Sequence, residues 1–548
     1  MSFNFSHPYK IDPRFEKRVA YFCMEYAIHQ CLKIYAGGLG YLAGSHMRGV
    51  YELKQNLVGI GILWKYGYYD QVRNNDQTMG VMFEEKIYGF LVDTGIKFSI
   101  TVSGHKVWVK TFYLPPNIFN TAPLFLLSTD VADNDYLART ICHRLYDANP
   151  EARIAAAILL GEGGAHLLEE LNWEPAIYHL NESHALPLAF HLYNKHKNLD
   201  EVKKRLVFTN HTPEEGGNQK IDLMFLEKMG FFGEVPLTEV KAIAGQEDSK
   251  IDQTLSVLRL AGRANGVSEL HYGTLGKMWG KYSNTCSLSY ITNSQNFSYW
   301  ADAEMYNSLA AGDNERLTKR KLECKKQLFE EVADQNGEIF SQNILTIVFA
   351  KRFTDYKRAE LLLHDMERFH KLISNKDRPL QIIWAGKPYP MDYTAIGVFD
   401  KIVNLCKSTT SCSILTGYEL KLSKLLKAGA DVWLNVPRLR HEASGTSGMT
   451  AAMNGAINMS LPDGWFPEYS KDKINSFVIP HCDLSLPDYR QDEADAQSLY
   501  DLLENEVIPM YYDYPKRWVE IMTNSLRDIV PQFDSARMAT EYYTEMYL

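Results

Sequence analysis

The chain is predicted to be an α/β protein built from two doubly wound domains that face each other across a cleft. Three observations predict this. Its 548 residues are too many for one core and suit two or three domains. The C-terminal half alternates continuous apolar runs of strand length with amphipathic segments, the pattern of a parallel sheet covered on both faces. Basic and glycine-rich segments follow those runs, and such sheets place their active groups at the carboxyl ends of their strands.

In the N-terminal half, Arg18–Cys23, Ala176–Leu180 and Arg205–Thr209 read as strands, and the glycine-rich Gly37-Gly38-Leu39-Gly40 follows the first. Ala152–Leu171 reads as a long helix interrupted by Gly161-Glu162-Gly163-Gly164. The segment 310–340, rich in Lys and Glu, reads as a solvated helix leading into the second domain. There Ile344–Ala350 is a strand, followed by a basic turn and a helix-like Arg358–Leu363. Leu380–Ala385, the short strand begun by Ser413-Ile414-Leu415, and Asp431–Val436 continue the series. Leu420, Leu422, Leu425 and Leu426 between them fall at helical spacing. The expected domains are 1–310, 311–500, and a set of C-terminal helices, 501–548, able to pack back on the first domain. No internal repeat of fixed period is found.

Composition is that of an ordinary globular protein, 45% hydrophobic and 23% charged. The net charge of -9 argues against a general nucleic-acid binder, without excluding a local phosphate pocket. Thirty-three Tyr and nine Trp suit sugar-stacking surfaces and suit ordinary packing equally well. The start, Met1 to Pro8, lacks the basic region and apolar run of a leader. Ala155–Leu160, the most apolar helical stretch, is far too short to span a bilayer. Eight scattered cysteines without CxxC spacing imply reduced thiols in a cytoplasmic protein, and no metal site is expected.

Three segments read as anion sites. Ala350-Lys351-Arg352-Phe353-Thr354-Asp355-Tyr356-Lys357-Arg358 places four cations in a strand-to-helix turn; alone it is equally a solvated face, and its place at a strand's carboxyl end tilts it towards phosphate. Gly37-Gly38-Leu39-Gly40 allows close backbone approach to an oxyanion, with a tight turn as the plain alternative. Ser444-Gly445-Thr446-Ser447-Gly448, leading into a helix-forming run, is the strongest of the three.

The stretch Glu442-Ala443-Ser444-Gly445-Thr446-Ser447-Gly448-Met449-Thr450 resembles the cofactor segment of the α-glucan (glycogen, starch and maltodextrin) phosphorylases, E-A-S-G-T-x-x-M-K. Val19–Gln71, His179–His184, Val207–Pro213, Arg263–His271, Phe349–Lys357, Ala385–Lys387 and Tyr418–Asn435 are similar to the same family, in its order, from about residue 19 to 470. The resemblance implies a GT-B glycosyltransferase architecture of two Rossmann-like domains and retaining transfer of an α-glucosyl group. By motif, Arg352 and Lys357 would hold phosphate, assisted by backbone N–H groups near Gly37, Gly38, Leu39 and Gly445. His184, Asn293, Tyr356 and Glu442 would bond the sugar hydroxyls. Lys351, Tyr418 and Thr446 would line the pocket of pyridoxal phosphate. For single residues plainer roles stay open: His184 bracing its loop, and Tyr418 starting a helix and packing.

Thr450 stands where the family's lysine forms an imine with that cofactor, and a hydroxyl cannot form a Schiff base. Between Lys427 and Lys471 there is no lysine, so no sequence neighbour readily replaces it. In Ile291–Trp300, Ser294 replaces a glycine and Asn296 stands where shorter relatives often have histidine, which puts substrate choice in doubt. Three readings result. The first, favoured because the Thr450 replacement weighs against the second and the joint retention of Arg352, Lys357, Glu442 and His184 weighs against the third, is a retaining hexosyltransferase without covalent pyridoxal phosphate, whose leaving group is phosphate or a nucleotide diphosphate. The second is an α-glucan phosphorylase holding pyridoxal phosphate non-covalently. The third is a glucan-binding pseudoenzyme. The expected partners are a carbohydrate (an α-glucan or smaller acceptor) with phosphate or a nucleotide sugar; no nucleic acid or membrane is expected, and a homo-oligomer stays open.

Overall fold

Each apolar run read as a strand becomes one in the computed structural model, which describes residues 3–214, 217–245 and 249–548. Met1 and Ser2, part of the start read for a leader, lie outside the described residues. The chain divides into two units. The first holds residues 1–69, 83–296 and 535–548, the second 70–82 and 297–534. These bounds differ from the divisions expected at 310 and 500. Arg320 pairs with Asp302 at 2.7 Å, which ties the turn before Ala303–Ala311 to the helix Asn314–Asn336. The C-terminal helices are likewise shared, with 501–534 in the second unit and 535–548 in the first.

The first unit is built on a nine-stranded sheet. Val19–Phe22 lies at its centre, with Ile177–Asn181, Leu206–Thr209, Arg263–Gly266 and Ser287–Tyr290 in order on one side. On the other side come Leu57–Ile62, Leu124–Ser128, His105–Leu114 and Val92–Val102. All pairings are parallel except the two made by His105–Leu114. The long helix is interrupted where its glycines fall: Pro150–Ile158 passes through a π-helical turn, Leu159–Gly163, into Gly164–Glu170. Close packing explains the glycines, since a Cβ on Gly164 would sit 2.5 Å from Phe22 and one on Gly161 2.7 Å from the Leu188 nitrogen.

The last residues complete this unit's core. His179 reaches the Tyr547 hydroxyl through Nδ1 (2.7 Å) and Thr209 through Nε2 (2.8 Å), and Lys17 donates to the Tyr547 carbonyl. Ser294 and Asn296 serve the same packing. Arg537 donates to Ser294 Oγ at 2.7 Å, and Asn296 donates to Glu52 and to Ser535 Oγ. Both departures from the family pattern thus hold the returning chain.

The second unit is built on six parallel strands in the order Cys412–Leu415, Leu380–Ala385, Leu345–Ala350, Val432–Asn435, Ile457–Ser460 and Phe477–Val478. The first four listed are buried at every residue, as continuous apolar runs require. Two expectations fail here. Arg358–Leu363 is not a helix but a pair of 3₁₀ turns, Asp355–Lys357 and Leu361–Leu363, separated by Arg358 at φ +53°. Nor is 310–340 simply solvated. Its helix, Asn314–Asn336, buries Leu317, Lys321, Cys324, Lys325, Leu328, Phe329 and Val332 and packs on the helix Leu420–Gly429. No helix among the described residues is long and apolar enough to cross a membrane.

Candidate functional site

In the second unit the candidate residues collect where the strands end. Lys351 follows Leu345–Ala350 directly and is buried. Its ammonium donates to Asn435 Oδ1, at the end of Val432–Asn435, and to Ser447 Oγ at 3.2 Å. Asn435 in turn donates to Asn458 Oδ1 (2.9 Å), and Asn458 to the Gly448 carbonyl (2.9 Å). This ladder of asparagines fixes Lys351 against the start of the helix Ser447–Ala452. Both hydrogen-bond partners of Lys351 are neutral, and burial pulls its pKa down to about 7. Beside it the buried Trp433 Nε1 finds no partner among the described residues, with the Lys351 Nζ 5.8 Å from the Trp433 ring.

Lys357 ends its 3₁₀ turn and pairs with Glu442. Burial pushes this ammonium well down, the neighbouring Lys351 and Arg352 add to the effect, and Asp463 opposes it. Asp463 positions Glu442: its Oδ2 accepts from the Glu442 nitrogen (3.1 Å) and its Oδ1 from Gly464 (2.9 Å). Gly445, at φ +86°, lets the chain turn tightly beside the Glu442 side chain. Tyr356 stacks near His441 with ring centroids 6.3 Å apart, and its carbonyl accepts from the Arg438 nitrogen. Arg352 is exposed. The fourth cation, Arg358, is committed to the fold. It donates to the carbonyls of Val436 and Pro437 and pairs with Asp492 and Asp495.

Tyr418 lies just before the helix Leu420–Gly429, its hydroxyl 3.5 Å from Ser423 Oγ, and burial raises its pKa to about 12. Thr446 is the N-cap of Ser447–Ala452 and makes no side-chain capping bond. Thr450 is buried, and its hydroxyl donates back to the Ser447 carbonyl at 3.0 Å, so it behaves as an ordinary helix residue. A cavity of about 870 Å³ in this unit lies away from these residues, against Ser408–Ser411 before the strand Cys412–Leu415. The candidate residues of this unit therefore gather at the strands' carboxyl ends, apart from that cavity.

In the first unit, Gly37–Gly40 splits into two roles. A Cβ on Gly37 or Gly38 would meet nothing within 4 Å, whereas one on Gly40 would lie 2.6 Å from Glu25 Oε2. Gly38 and Leu39 open a 15-residue helix, Gly38–Glu52, that has no side-chain cap. The Gly37 and Ala36 nitrogens donate to Glu25 Oε2, and Tyr146 donates to Oε1. His184 and Asn293 each carry a buried polar atom, Nδ1 and Oδ1, with no partner among the described residues. His184 is thus not tied to its own loop through Nδ1, and burial lowers its pKa to about 4, which keeps the ring neutral. Glu182, at φ +76°, precedes it and accepts from the Ser183 and His211 nitrogens and from the Thr212 hydroxyl.

Glu25, Glu182, Asn435, Asn458, Ser447 and Asp463 were given no individual role by the motifs. Buried polar residues inside apolar strands, Asn435 and Asn458 above all, carry the signal that finds them, because a buried amide needs partners.

A carbohydrate phosphorylase family model matches residues 254–473. An uncharacterised protein of Methanocaldococcus jannaschii is 45% identical, covering 97% of this chain and 100% of that protein. The maltodextrin phosphorylase of Thermococcus litoralis is 33% identical over 98% of this chain and 71% of its own length. The glycogen phosphorylase of Aquifex aeolicus is 30% identical over 98% and 87%.

Proposed function

The chain belongs to the carbohydrate phosphorylase family, and from that premise we propose that it is a retaining hexosyltransferase exchanging an α-glucosyl group between a glucan and phosphate. The observation that carries this reading is the group formed by Lys351, Lys357 and Glu442 beside Arg352 at the strand ends. Lys351 is a buried cation whose hydrogen-bond partners are neutral, and an anion beside it would offset its desolvation.

Arg352 and Lys357 bind phosphate. In the direction of phosphorolysis, the bond from C1 of the terminal glucose to the glycosidic oxygen breaks. A phosphate oxygen bonds C1 on the same face, and a proton passes from phosphate to the departing oxygen. Glu442, His184, Asn293 and Tyr356 orient the sugar hydroxyls, and the cationic pocket stabilises the phosphate while positive charge develops on the ring. In the first unit the open space at Gly37 and Gly38 suits backbone N–H approach to an oxyanion, and in the second the left-handed turn at Gly445 does so separately.

For the family's pyridoxal phosphate, the residues fit at the phosphate end. Lys351, with Ser447 and the unpartnered Trp433 N–H beside it, suits an anionic group. At Thr450 they do not fit a covalent link. When bound, the cofactor supplies a phosphate whose charge and proton act on the substrate phosphate.

Release of glucose 1-phosphate from maltodextrin and phosphate, measured with and without pyridoxal phosphate, tests the proposal. Release is expected, and Arg352→Ala should abolish it while glucan binding persists. No release under either condition would reject the reading and direct the search to nucleotide-sugar donors.

A further inference from the structure

The cavity of about 870 Å³ has no part in the roles assigned above, and every residue that lines it belongs to the second unit. The hairpin of Asp70–Arg73 and Met79–Met82 supplies Arg73 to it. The helices Met366–Ile373 and Tyr393–Cys406 both end against it. One carries His370 and Lys371 in its last turn, and Lys407 follows the other. Glu338, just past the helix Asn314–Asn336, is the one acid among the lining residues. Three permanent cations and a histidine therefore share a concavity with a single carboxyl, in a chain of net charge -9.

Among the described residues, none of the three cations meets a carboxylate. Arg73 donates to the carbonyls of Ile414 and Gln77, and Lys407 to the Asp76 carbonyl and Asn404 Oδ1. Cations on the same two helices but outside the cavity do pair with acids, Arg368 with Asp501 and Glu504, Lys401 with Glu360. Helix carboxyl ends favour positive charge, which accounts in part for Lys371 and Lys407. It does not account for Arg73, which a hairpin delivers and whose buried Nε finds no partner among the described residues. Burial raises the Glu338 carboxyl to about 7, so it opposes an anion less than an ordinary carboxylate would.

The rest of the lining says what kind of anion fits. Ser374 and Ser408–Ser411 give the cavity five hydroxyls. Ser374 and Ser408 already donate to the carbonyls of His370 and Leu405 (2.7 Å each), which leaves their oxygens as acceptors. A bare phosphate has little hydrogen to give such acceptors, whereas a polyol has one on every hydroxyl. No Phe, Tyr or Trp lines the cavity, so a nucleobase finds no ring to stack on. The volume lies within the range of small-molecule sites.

We propose that this cavity is a second ligand site, for a small sugar phosphate whose phosphate is drawn by Arg73, Lys371 and Lys407 and whose hydroxyls meet the serines and threonines. A ligand held by Arg73 also holds its hairpin. Gln71, on the same strand, donates to the Gly386 carbonyl and accepts from the Gly417 nitrogen, both at 2.9 Å, next to Lys387 and Tyr418.

The site is independent of the proposed function, and its test needs no turnover. Ribose 5-phosphate is titrated calorimetrically into the full-length protein, with ribose and inorganic phosphate for comparison, and the bound region is mapped by hydrogen exchange. Ribose 5-phosphate should bind and protect peptides from 70–82, 366–374 and 403–411, and ribose should not. Lys371→Glu, at an exposed position, should keep the melting temperature and weaken binding by about tenfold or more, the worth of one charge-assisted hydrogen bond. Arg73→Gln should weaken it likewise, and Arg352→Ala should leave it unchanged. No binding would overturn the assignment, as would binding that survives Lys371→Glu but is lost with Arg352→Ala, which would put the ligand at the strand ends. Equal protection of these peptides by inorganic phosphate, or binding of a purine nucleotide where ribose 5-phosphate fails, would overturn the choice of a sugar phosphate.

Discussion

Gly445 shows how much of the site depends on one missing Cβ. Its φ of +86° is a region that other residues enter at a cost, and a Cβ there would lie 3.1 Å from Glu442 Cγ and 3.2 Å from Cδ. Gly445→Ala combines backbone strain with that contact, so it should destabilise the protein by about 1–3 kcal/mol. It should also displace Glu442 from Lys357 and depress turnover more than glucan affinity. Urea unfolding and kcat/KM for glucose 1-phosphate release check the two effects separately. Unchanged stability and turnover would mean that the turn tolerates a side chain and that Glu442 is held by other means. The sequence made the glycine visible as part of a motif but not its neighbour.

At the scale of elements, the apolar runs were legible and the charged ones misled. Leu345–Ala350 and Leu380–Ala385 announce themselves because strands buried on both faces have no room for polar residues. The hairpin Val92–Val102 with His105–Leu114 carries an equally clear pattern, left unread. Phe98, Ile100, Val102, Val107 and Val109 alternate around Ser103-Gly104, both at positive φ as a two-residue hairpin turn requires. Asn314–Asn336 looked solvated because Lys and Glu fill it, yet Lys321 and Lys325, one turn apart, point inward. Lys325 meets Asp431 at 2.5 Å, and Asp431 also accepts from the Thr346 nitrogen at 2.9 Å, so one carboxylate joins the helix to two central strands. Asp431→Asn should therefore cost about 3–5 kcal/mol, because it strands a buried ammonium. Exchanging both partners for apolar residues of similar size, Lys325→Met with Asp431→Leu, should recover much of that loss. Denaturant unfolding of the two single variants and the double variant measures the coupling. A double variant as unstable as the sum of the singles would show that each residue acts through its other contacts.

Over the whole molecule, the two units differ in which buried groups burial keeps uncharged, and acid should therefore separate them. The first unit buries histidines. His7, His184 and His271 are pushed down to about 4, His46 and His211 to about 3, and His179 well below its usual value, in each case chiefly by burial. Unfolded, these rings take up protons near pH 6.5. Below that value the unfolded state binds more protons than the folded one, so stability falls as the pH drops from about 6.5 towards the folded values. Each histidine adds up to about 1.4 kcal/mol per pH unit to the slope. The second unit buries lysines instead, with Lys351 pushed down to about 7 and Lys321 to about 8. The same sign applies in a higher window. Between those values and the ordinary lysine pKa the unfolded chain again binds more protons, so this unit should gain stability as the pH rises from about 7 to 10. Hydrogen exchange read by peptide mass spectrometry resolves the units. Peptides from 19–22, 177–181 and 206–209 should lose protection between pH 6 and 4, ahead of those from 345–350 and 380–385. Bound phosphate should flatten the alkaline gain of the second unit, since an anion beside Lys351 favours its charged form in the folded state. Loss of protection in the second unit first, or an alkaline gain indifferent to phosphate, would contradict the assignment of these buried groups. The acid arm probes the histidines of the first unit, and the phosphate arm probes the anion site in the second.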